Sequence, residues 1–443
     1  MNNSNIANED CFPYIPKVFR VSWQPNGARI VNLNNGALYD YSYLQSIVLS
    51  LCNGHFSYSE ICLSIEKHFG VDCASTKIFD AFKDVISWKT IRSEQCIIHE
   101  DIKVLNSNLG NSEGFAKHRF PTSIVIVLMD KCNFKCNYCI RDLNFSSKRR
   151  ELSYSSVKKV IREASKNNVL KITFTGGEPL LDKNIFDYVR TCLGFGIFPS
   201  ISTNGYLLTK KAVNEFLSSG LEYIQVSLDT VNPEVFQIIT RSRKIERVLK
   251  NIKDAVQLGM KVNIRTVLTM YNYREINALV DYVESIGIKS MDITPATYFG
   301  HQNDKLPSIR TDLLDLATRK FKNKKGINVN VSNIDKNWKN KNDIVRCGGV
   351  ISDSIIFPNG DIGFCANLPS LSYGNILTGT ILDAWNSKHF SSLRLRFNPS
   401  QLTNPTCLKC ESSKICMGGC PAMKLGHGID FNNIDPRCYK RGE

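Results

Sequence analysis

Residues 123–139 read SIVIVLMDKCNFKCNYC. The first seven, Ser123–Met129, form an apolar run of strand length, and the polar tail brings three thiols, Cys132, Cys136 and Cys139, onto one loop at x3 and x2 spacing. Three thiolates so spaced can hold three irons of a 4Fe–4S cluster and leave the fourth iron open to another molecule. A zinc knuckle is the competing reading, but a structural zinc wants four closed ligands.

The loop stands at the head of an alternating series. Strand patterns recur at Ser123–Met129, Lys171–Phe174, Pro199–Ser202, Tyr223–Leu228, Lys261–Leu268 and Lys289–Thr294. Between them lie helical patterns near 153–166, 183–194, 209–218, 244–258 and 273–286. Six such repeats predict an α/β fold over 118–325, a partial (β/α)6 TIM-like barrel with right-handed crossovers. Its reactive groups belong on loops at the C-terminal ends of the strands.

Two flanking regions differ in pattern. Residues 13–92 open with strand-like Val18–Trp23 and Ala28–Leu33, then turn at Asn34-Asn35-Gly36. Helical spacing follows in Leu44, Ile47, Val48 and Leu51, again in Ile61, Ile65, His68 and Phe69 after Ser57 or Ser59, and in Ile78, Phe82, Val85 and Ile86. This predicts an N-terminal winged-helix-like domain. Residues 106–117, NSNLGNSEGFAK, have the composition of a flexible linker. Residues 343–443 have little regular periodicity and seven cysteines, so metal clusters more than apolar packing are expected to set their fold.

Composition narrows the classes. The chain has 443 residues, 42% of them hydrophobic, too many for a disordered protein. Its longest clean apolar run is Ile124–Met129, far short of the ~20 residues of a membrane-spanning helix. Met1–Asn5 shows no signal-peptide start, so a soluble, cytoplasmic protein is expected. In that reducing setting sixteen cysteines point to metal before disulfides. The net charge of +15 would raise nucleic acid, but residues 1–115 carry nine Lys/Arg against twelve Asp/Glu, and thiolate-bound iron–sulfur clusters are themselves anionic. The basic stretch Arg319–Lys341 reads as a solvated face. Cys52 and Cys62 sit at apolar helix positions and read as core; they, Cys11, Cys73, Cys96 and Cys192 show no ligand spacing.

Later motifs come in a fixed order: Gly176-Gly177-Glu178-Pro179, Thr203-Asn204-Gly205 and Ser227-Leu228-Asp229, each ending a strand, then Arg241. With CxxxCxxC they resemble the radical S-adenosylmethionine (AdoMet) superfamily across residues 123–295. The resemblance implies that Cys132, Cys136 and Cys139 carry the catalytic cluster. It implies that Gly176, Gly177, Glu178 and Pro179 receive the AdoMet amino group, and a Gly-Gly turn plus a carboxylate suits an ammonium. Thr203, Asn204, Ser227 and Asp229 would line the AdoMet site, the last two near its ribose or carboxylate. Arg241 would pair with the carboxylate, for which its fork is suited, and Tyr138 would lie near the adenine.

The C-terminal pattern Cys347, Gly360, Cys365, Cys407-x2-Cys410-x5-Cys416-x3-Cys420 and Cys438 resembles the SPASM extension of peptide-modifying members. By that resemblance Cys407, Cys410, Cys416 and Cys438 hold one auxiliary cluster, and Cys347, Cys365 and Cys420 hold the other, making three iron–sulfur clusters in all. No further cysteine lies between Cys347 and Cys365. The second auxiliary cluster therefore keeps an iron for a substrate thiolate or for an oxygen ligand such as Asp353, or has lower nuclearity. The stretch Cys347–Ile376, with its SLSYGNI ending, and the chain as a whole resemble sactipeptide and ranthipeptide maturases. Residues 30–88 resemble the leader-recognition element of ribosomal peptide biosynthesis.

The expectation is a radical AdoMet enzyme that joins a Cys sulfur to another residue's carbon in a ribosomally made precursor peptide bearing an N-terminal leader. A flavodoxin or ferredoxin would supply electrons, with no nucleic acid and no membrane span. Carbon–carbon crosslinking, epimerisation and formylglycine formation are the enzymatic alternatives. An iron–sulfur DNA-binding regulator is the non-enzymatic one, against which α-helical Ser57–Gly70 offers only Lys67 and His68 as bases.

Overall fold

The computed structural model describes residues 11–24, 27–73, 77–91, 93, 120–139, 150–296, 313, 317, 326–331, 348–369, 371–396, 403–410, 416, 418–430, 433–435 and 438. The 106–117 segment, Cys96, Cys347 and all of the basic stretch except 326–331 lie outside them. The chain divides into two units, Met1–Thr122 and Ser123–Glu443.

In the first unit, β1 (Phe12–Tyr14) pairs antiparallel with β5 (Ser87–Lys89), and β2 (Phe19–Gln24), β3 (Gly27–Asn32) and β4 (Leu38–Ser42) form an antiparallel sheet in that order. Helix α1 (Tyr43–Leu51) follows, then α2 (Tyr58–Phe69), which starts at Ser57. There the Glu60 N–H donates to Ser57 Oγ and the Ser57 N–H to the Glu60 carboxylate, a reciprocal cap. The third helical pattern forms only a 3₁₀ turn, Ile78–Phe82. Ile30, Val48, Leu49, Ile61, Ile65 and Phe82 close the core with Trp23 and Tyr41. Cys52 and Cys73 are buried in it and Cys62 is half-buried against it.

The second unit is α/β, built on a ten-stranded sheet. Its parallel body runs β6 (Ser123–Val127), β7 (Lys171–Thr175), β8 (Phe198–Thr203), β9 (Tyr223–Ser227), β10 (Lys261–Leu268) and β11 (Ser290–Pro295), each beside its predecessor. These are the six expected strands, and Ile124 with Ile126, Ile172 with Phe174, and Ile224 with Val226 are fully buried at alternate positions, the apolar face of each strand. The crossovers include α3 (Tyr154–Lys166), α4 (Ile185–Gly194), α5 (Lys210–Ser218), α6 (Pro233–Thr240), α7 (Ile245–Gln257) and α8 (Ile276–Ser285). Helix α7 shows why they form: Ile245, Val248, Ile252 and Ala255 recur at helical spacing and are buried. Helix α6 is an addition to the pattern read from sequence.

Strands join both edges of this body. β12 (Asn328–Val331) pairs parallel with β11. On the other side β13 (Asp353–Ile356) pairs parallel with β6, then β14 (Asp361–Gly363) and β15 (Ser372–Asn375) follow antiparallel. The expectation that clusters rather than packing shape the last region needs correcting for its first half. Tyr373 and Phe390 stack with centroids 3.8 Å apart, Trp385 packs on Phe390 at 5.1 Å, and Ile356, Ile362 and Ile381 are fully buried beside the sheet. These residues are scattered along the chain, so the core has no sequence period.

Candidate active site

The Cys132 loop leaves β6 and is clamped at every position between its thiols. Phe134 is buried, its ring 5.9 Å from Tyr206 and 5.7 Å from Phe236 of α6. The Lys135 N–H donates to the Thr240 carbonyl (3.1 Å) and the Asn137 N–H to the Ile239 carbonyl (2.9 Å), so the loop satisfies carbonyls that the end of α6 leaves open. Asn137 Nδ2 adds a bond to the Ile238 carbonyl at 3.3 Å. The Tyr138 hydroxyl donates to Asp229 at the end of β9. What remains is three half-buried thiols, none of them in a disulfide, on a held backbone.

The Gly-Gly pair belongs to the same assembly. A β-carbon on Gly177 would collide with the Lys131 carbonyl, and one on Gly176 would lie 3.0 Å from the Met129 carbonyl oxygen. Without side chains the two backbones approach closely enough for Gly177 N–H to reach Met129 O (2.7 Å) and Glu178 N–H to reach Lys131 O (3.0 Å). Glu178 itself is buried, and its carboxylate accepts from Leu180 N–H (3.0 Å), Thr203 Oγ1 (2.7 Å) and Asn204 N–H (2.8 Å). Three donors already converge on that carboxylate, which leaves the Gly176–Gly177 backbone as the part of the motif best placed to meet an amine. Pro179 is buried at the start of a 3₁₀ turn, Pro179–Leu181.

Asn204 ties the third strand end to the first. Its Nδ2 donates to Asn133 Oδ1 (2.7 Å) and lies 3.8 Å from Cys132 Sγ, towards which the Phe134 N–H also points at 3.5 Å. Asp229 is buried and accepts from Val267 N–H (2.8 Å) as well as Tyr138. Ser227, half-buried, is the last residue of β9. Arg241 follows α6 directly, with φ +55°, a left-handed backbone that non-glycine residues seldom adopt. Its side chain is exposed beside the loop that α6 anchors. Tyr138 is thus held by its hydroxyl as well as placed by its neighbours. The structure gathers every barrel residue singled out from sequence at one end of the sheet.

Burial dominates the electrostatics of the site. Burial pushes the Cys132 thiol up to about 11 and the Cys136 thiol well above its usual value. Such thiols surrender their protons to a metal that replaces them. Burial likewise raises Glu178 to about 7, against the pull of its three donors, and Asp229 to about 6.

Of the C-terminal cysteines, Cys407, Cys410, Cys416 and Cys438 line one small cavity with Thr406, Gly418, Ile434 and Asp435. Cys365 feels the charge of Cys420, which places those two near each other. A β-carbon on Gly349 would strike the Phe364 carbonyl, so the segment just after Cys347 packs against the residue before Cys365. Asp353 lies against Gly348. Lys424 is buried within electrostatic reach of Cys407, Asp435, Cys416 and Cys420. The register sets the two halves apart: Asp353 is level with Ser123, the first residue of β6, and Gly363 with Ile355, so Cys365 falls at the opposite end of β6 from the Cys132 loop. Five residues of strand separate those ends by roughly 17 Å. Among the described residues no three His, Cys, Asp or Glu side chains are gathered tightly enough for a single ion; a cluster, being wider, holds its thiolates farther apart.

Sequence reading missed α6, Phe134, Tyr206, Asn133, Val267 and Lys424 as parts of these sites. The start of α6 was signalled by Asn232-Pro233, an N-cap followed by proline, and Asn232 does accept from Glu234 and Val235 N–H. The other contacts are tertiary and have no local signal.

Residues 126–283 match the Radical SAM superfamily, and residues 347–411 match SPASM, an iron–sulfur cluster-binding domain. Among curated proteins, the chain is 32% identical to GTP 3',8-cyclase of Campylobacter fetus subsp. fetus over 204 residues, 44% of this chain and 62% of the relative. It therefore spans about three-fifths of that protein's length. It is 22% identical to PqqA peptide cyclase of Xanthomonas campestris pv. campestris over 331 residues, 72% of this chain and 87% of the relative. Among solved structures, Streptococcus suis SuiB bound to precursor peptide SuiA shares the fold with TM-score 0.70 at 19% identity, covering 96% of this chain and 99% of that one.

Proposed function

We propose that this protein, a radical SAM domain followed by a SPASM domain, is a maturase that crosslinks a ribosomally made precursor peptide. The observation that carries the reading is the pairing of the clamped Cys132 loop with the four-cysteine cavity of Cys407, Cys410, Cys416 and Cys438. Cys132, Cys136 and Cys139 would hold the cluster that binds AdoMet, and the two C-terminal cysteine sets would hold auxiliary clusters. When bound, these cofactors supply one-electron cleavage of AdoMet, a deoxyadenosyl radical that takes a substrate hydrogen, and an acceptor for the electron left over.

The chain's residues bind and orient. The Gly176–Gly177 backbone, Thr203, Asn204, Ser227 and Asp229 ring the loop, and Arg241 offers a fork to a carboxylate. Phe134 and the α6 contacts keep the thiols in place before anything binds, which reduces the ordering cost on binding. In the first unit β3 is central, so β2 and β4 present edges on which an extended leader could add as a strand. The SuiB and PqqA relatives, whose names specify peptides, support a peptide substrate.

A thioether is the favoured product. Three cysteines, Cys347, Cys365 and Cys420, leave room at the second auxiliary cluster for a substrate thiolate, a soft ligand that iron–sulfur sites accept. Carbon–carbon closure is the second reading, favoured by the likeness to the peptide cyclase. Anaerobic turnover with the candidate precursor separates them by mass spectrometry. Loss of two hydrogens with a thiol that no longer alkylates supports the thioether; the same loss with all thiols alkylatable supports carbon–carbon bonding. Unchanged peptide mass, with deoxyadenosine formed, would remove the crosslinking reading.

A further inference from the structure

The Asn204 side chain is held at both ends. Its Oδ1 accepts from the Tyr206 N–H at 3.1 Å, which fixes which way round the amide lies, because only an oxygen can accept there. Nδ2 therefore faces the Cys132 loop with its two hydrogens. One goes to Asn133 Oδ1 at 2.7 Å, and the other falls to Cys132 Sγ, 3.8 Å from the nitrogen, a reach suited to a large sulfur acceptor. The Phe134 N–H points at the same sulfur from 3.5 Å. Two donors thus meet on Cys132, one from its own loop and one from the end of β8.

The turn that carries Asn204 is fixed as well. Its own N–H donates to the Glu178 carboxylate at 2.8 Å. Gly205 has φ +77°, and a β-carbon there would strike the Val226 side chain. Asn251 of α7, buried, donates to the carbonyls of Gly205 (3.0 Å) and Tyr206 (2.8 Å). The Asn204 amide nitrogen is committed to the loop before any ligand arrives, although the resemblance read from sequence sets this residue against AdoMet.

We propose that Asn204 is a positioning residue for the Cys132 sulfur, donating to it as a thiolate and raising the reduction potential of the cluster that Cys132, Cys136 and Cys139 would hold. The inference rests on reading those cysteines as cluster ligands, and goes beyond it by assigning the Asn204 amide to the metal site. One-electron reduction makes a thiolate-bound cluster more anionic, so an N–H donor favours the reduced form more than the oxidised one. Asn133 keeps the donor aimed.

The test compares wild type with N204A and N204D in the cluster-loaded full chain, at matched iron content and before AdoMet is added. The signal of the Cys132 cluster is the one that C132A lacks. Its midpoint potential is read by electron paramagnetic resonance during stepwise reduction with titanium(III) citrate, each titanium giving up one electron. The expected result is a lower potential in N204A, equivalent to a fall of about threefold or more in the reduced-to-oxidised ratio at fixed solution potential. N204D should fall further, because its carboxylate replaces the donor with a charge that opposes reduction. An unchanged potential would overturn the proposal; if AdoMet affinity weakens at the same time, Asn204 touches AdoMet instead. Should N204A lose iron, N133A decides, since it releases the hold on Nδ2 and leaves Asn204 in place. A lower potential in N133A supports the proposal, and an equal potential or a matching loss of iron overturns it in favour of a structural role. Wild type whose iron content equals that of C132A would overturn the cluster reading, and this proposal with it.

Discussion

Gly177 has no room for a β-carbon because the Lys131 carbonyl occupies that space. The functional reading of GGEP from sequence was an amine-binding turn; the structure adds a second reason for the glycines, the close approach that hydrogen-bonds the Cys132 loop to the second strand end. Gly177→Ala should therefore displace the loop, lowering bound iron by about four atoms per chain while the C-terminal clusters persist, as read by iron and sulfide assay. Glu178 offers a pH test. Its folded pKa, raised to about 7 by burial, exceeds the ordinary carboxyl value of 4.5, so the folded state holds the proton more tightly. Its contribution is full below 4.5 and is lost as pH rises through about 7. Between pH 6 and 8 the unfolding midpoint of wild type should fall relative to Glu178→Gln; parallel curves would contradict this assignment.

At the scale of elements, α6 explains why the loop stands preformed. It receives two loop N–H groups on its terminal carbonyls and packs Phe236 on Phe134. Phe134→Ala removes a buried ring, a change that costs about 3–5 kcal/mol in a well-packed core. In cluster-free protein it should speed alkylation of Cys136 while leaving Cys407 and Cys410 unaffected, with quantified labelling as the measure. The strand and helix alternation was legible because the strands carry apolar residues at a two-residue period or in a run, as in SIVIV and KITFT, and the crossovers repeat at helical spacing. Strands β13 to β15 were not legible: they are short, and Asp353–Ile356 gains its place by pairing with β6 on one side and β14 on the other.

At the scale of the molecule, the two units give separable expectations. Deleting residues 1–105 should weaken precursor binding about tenfold or more, as expected when an extended strand contact is lost, while AdoMet cleavage uncoupled from peptide continues. Equal affinity without those residues would remove the leader-binding role. Among the described residues no helix is long and apolar enough to cross a membrane, as the apolar run lengths suggested.

The amino-acid sequence alone determined the parallel α/β body, the three-thiol loop and the order of motifs after successive strands, because periodicity and cysteine spacing are local and survive without a partner. The resemblance to the SPASM extension grouped Cys407, Cys410, Cys416 and Cys438, which the fold brings to one cavity. Only the tertiary structure decided what Glu178, Tyr138 and Asn204 hold, and that Cys365 lies at the far end of β6 from Cys132. It also decided that Lys244 and Arg247 lie over the ring of Tyr206, which packs on Phe134 of the loop. Those are relations between residues tens to hundreds of positions apart, set by strand register and packing, and no local pattern encodes them.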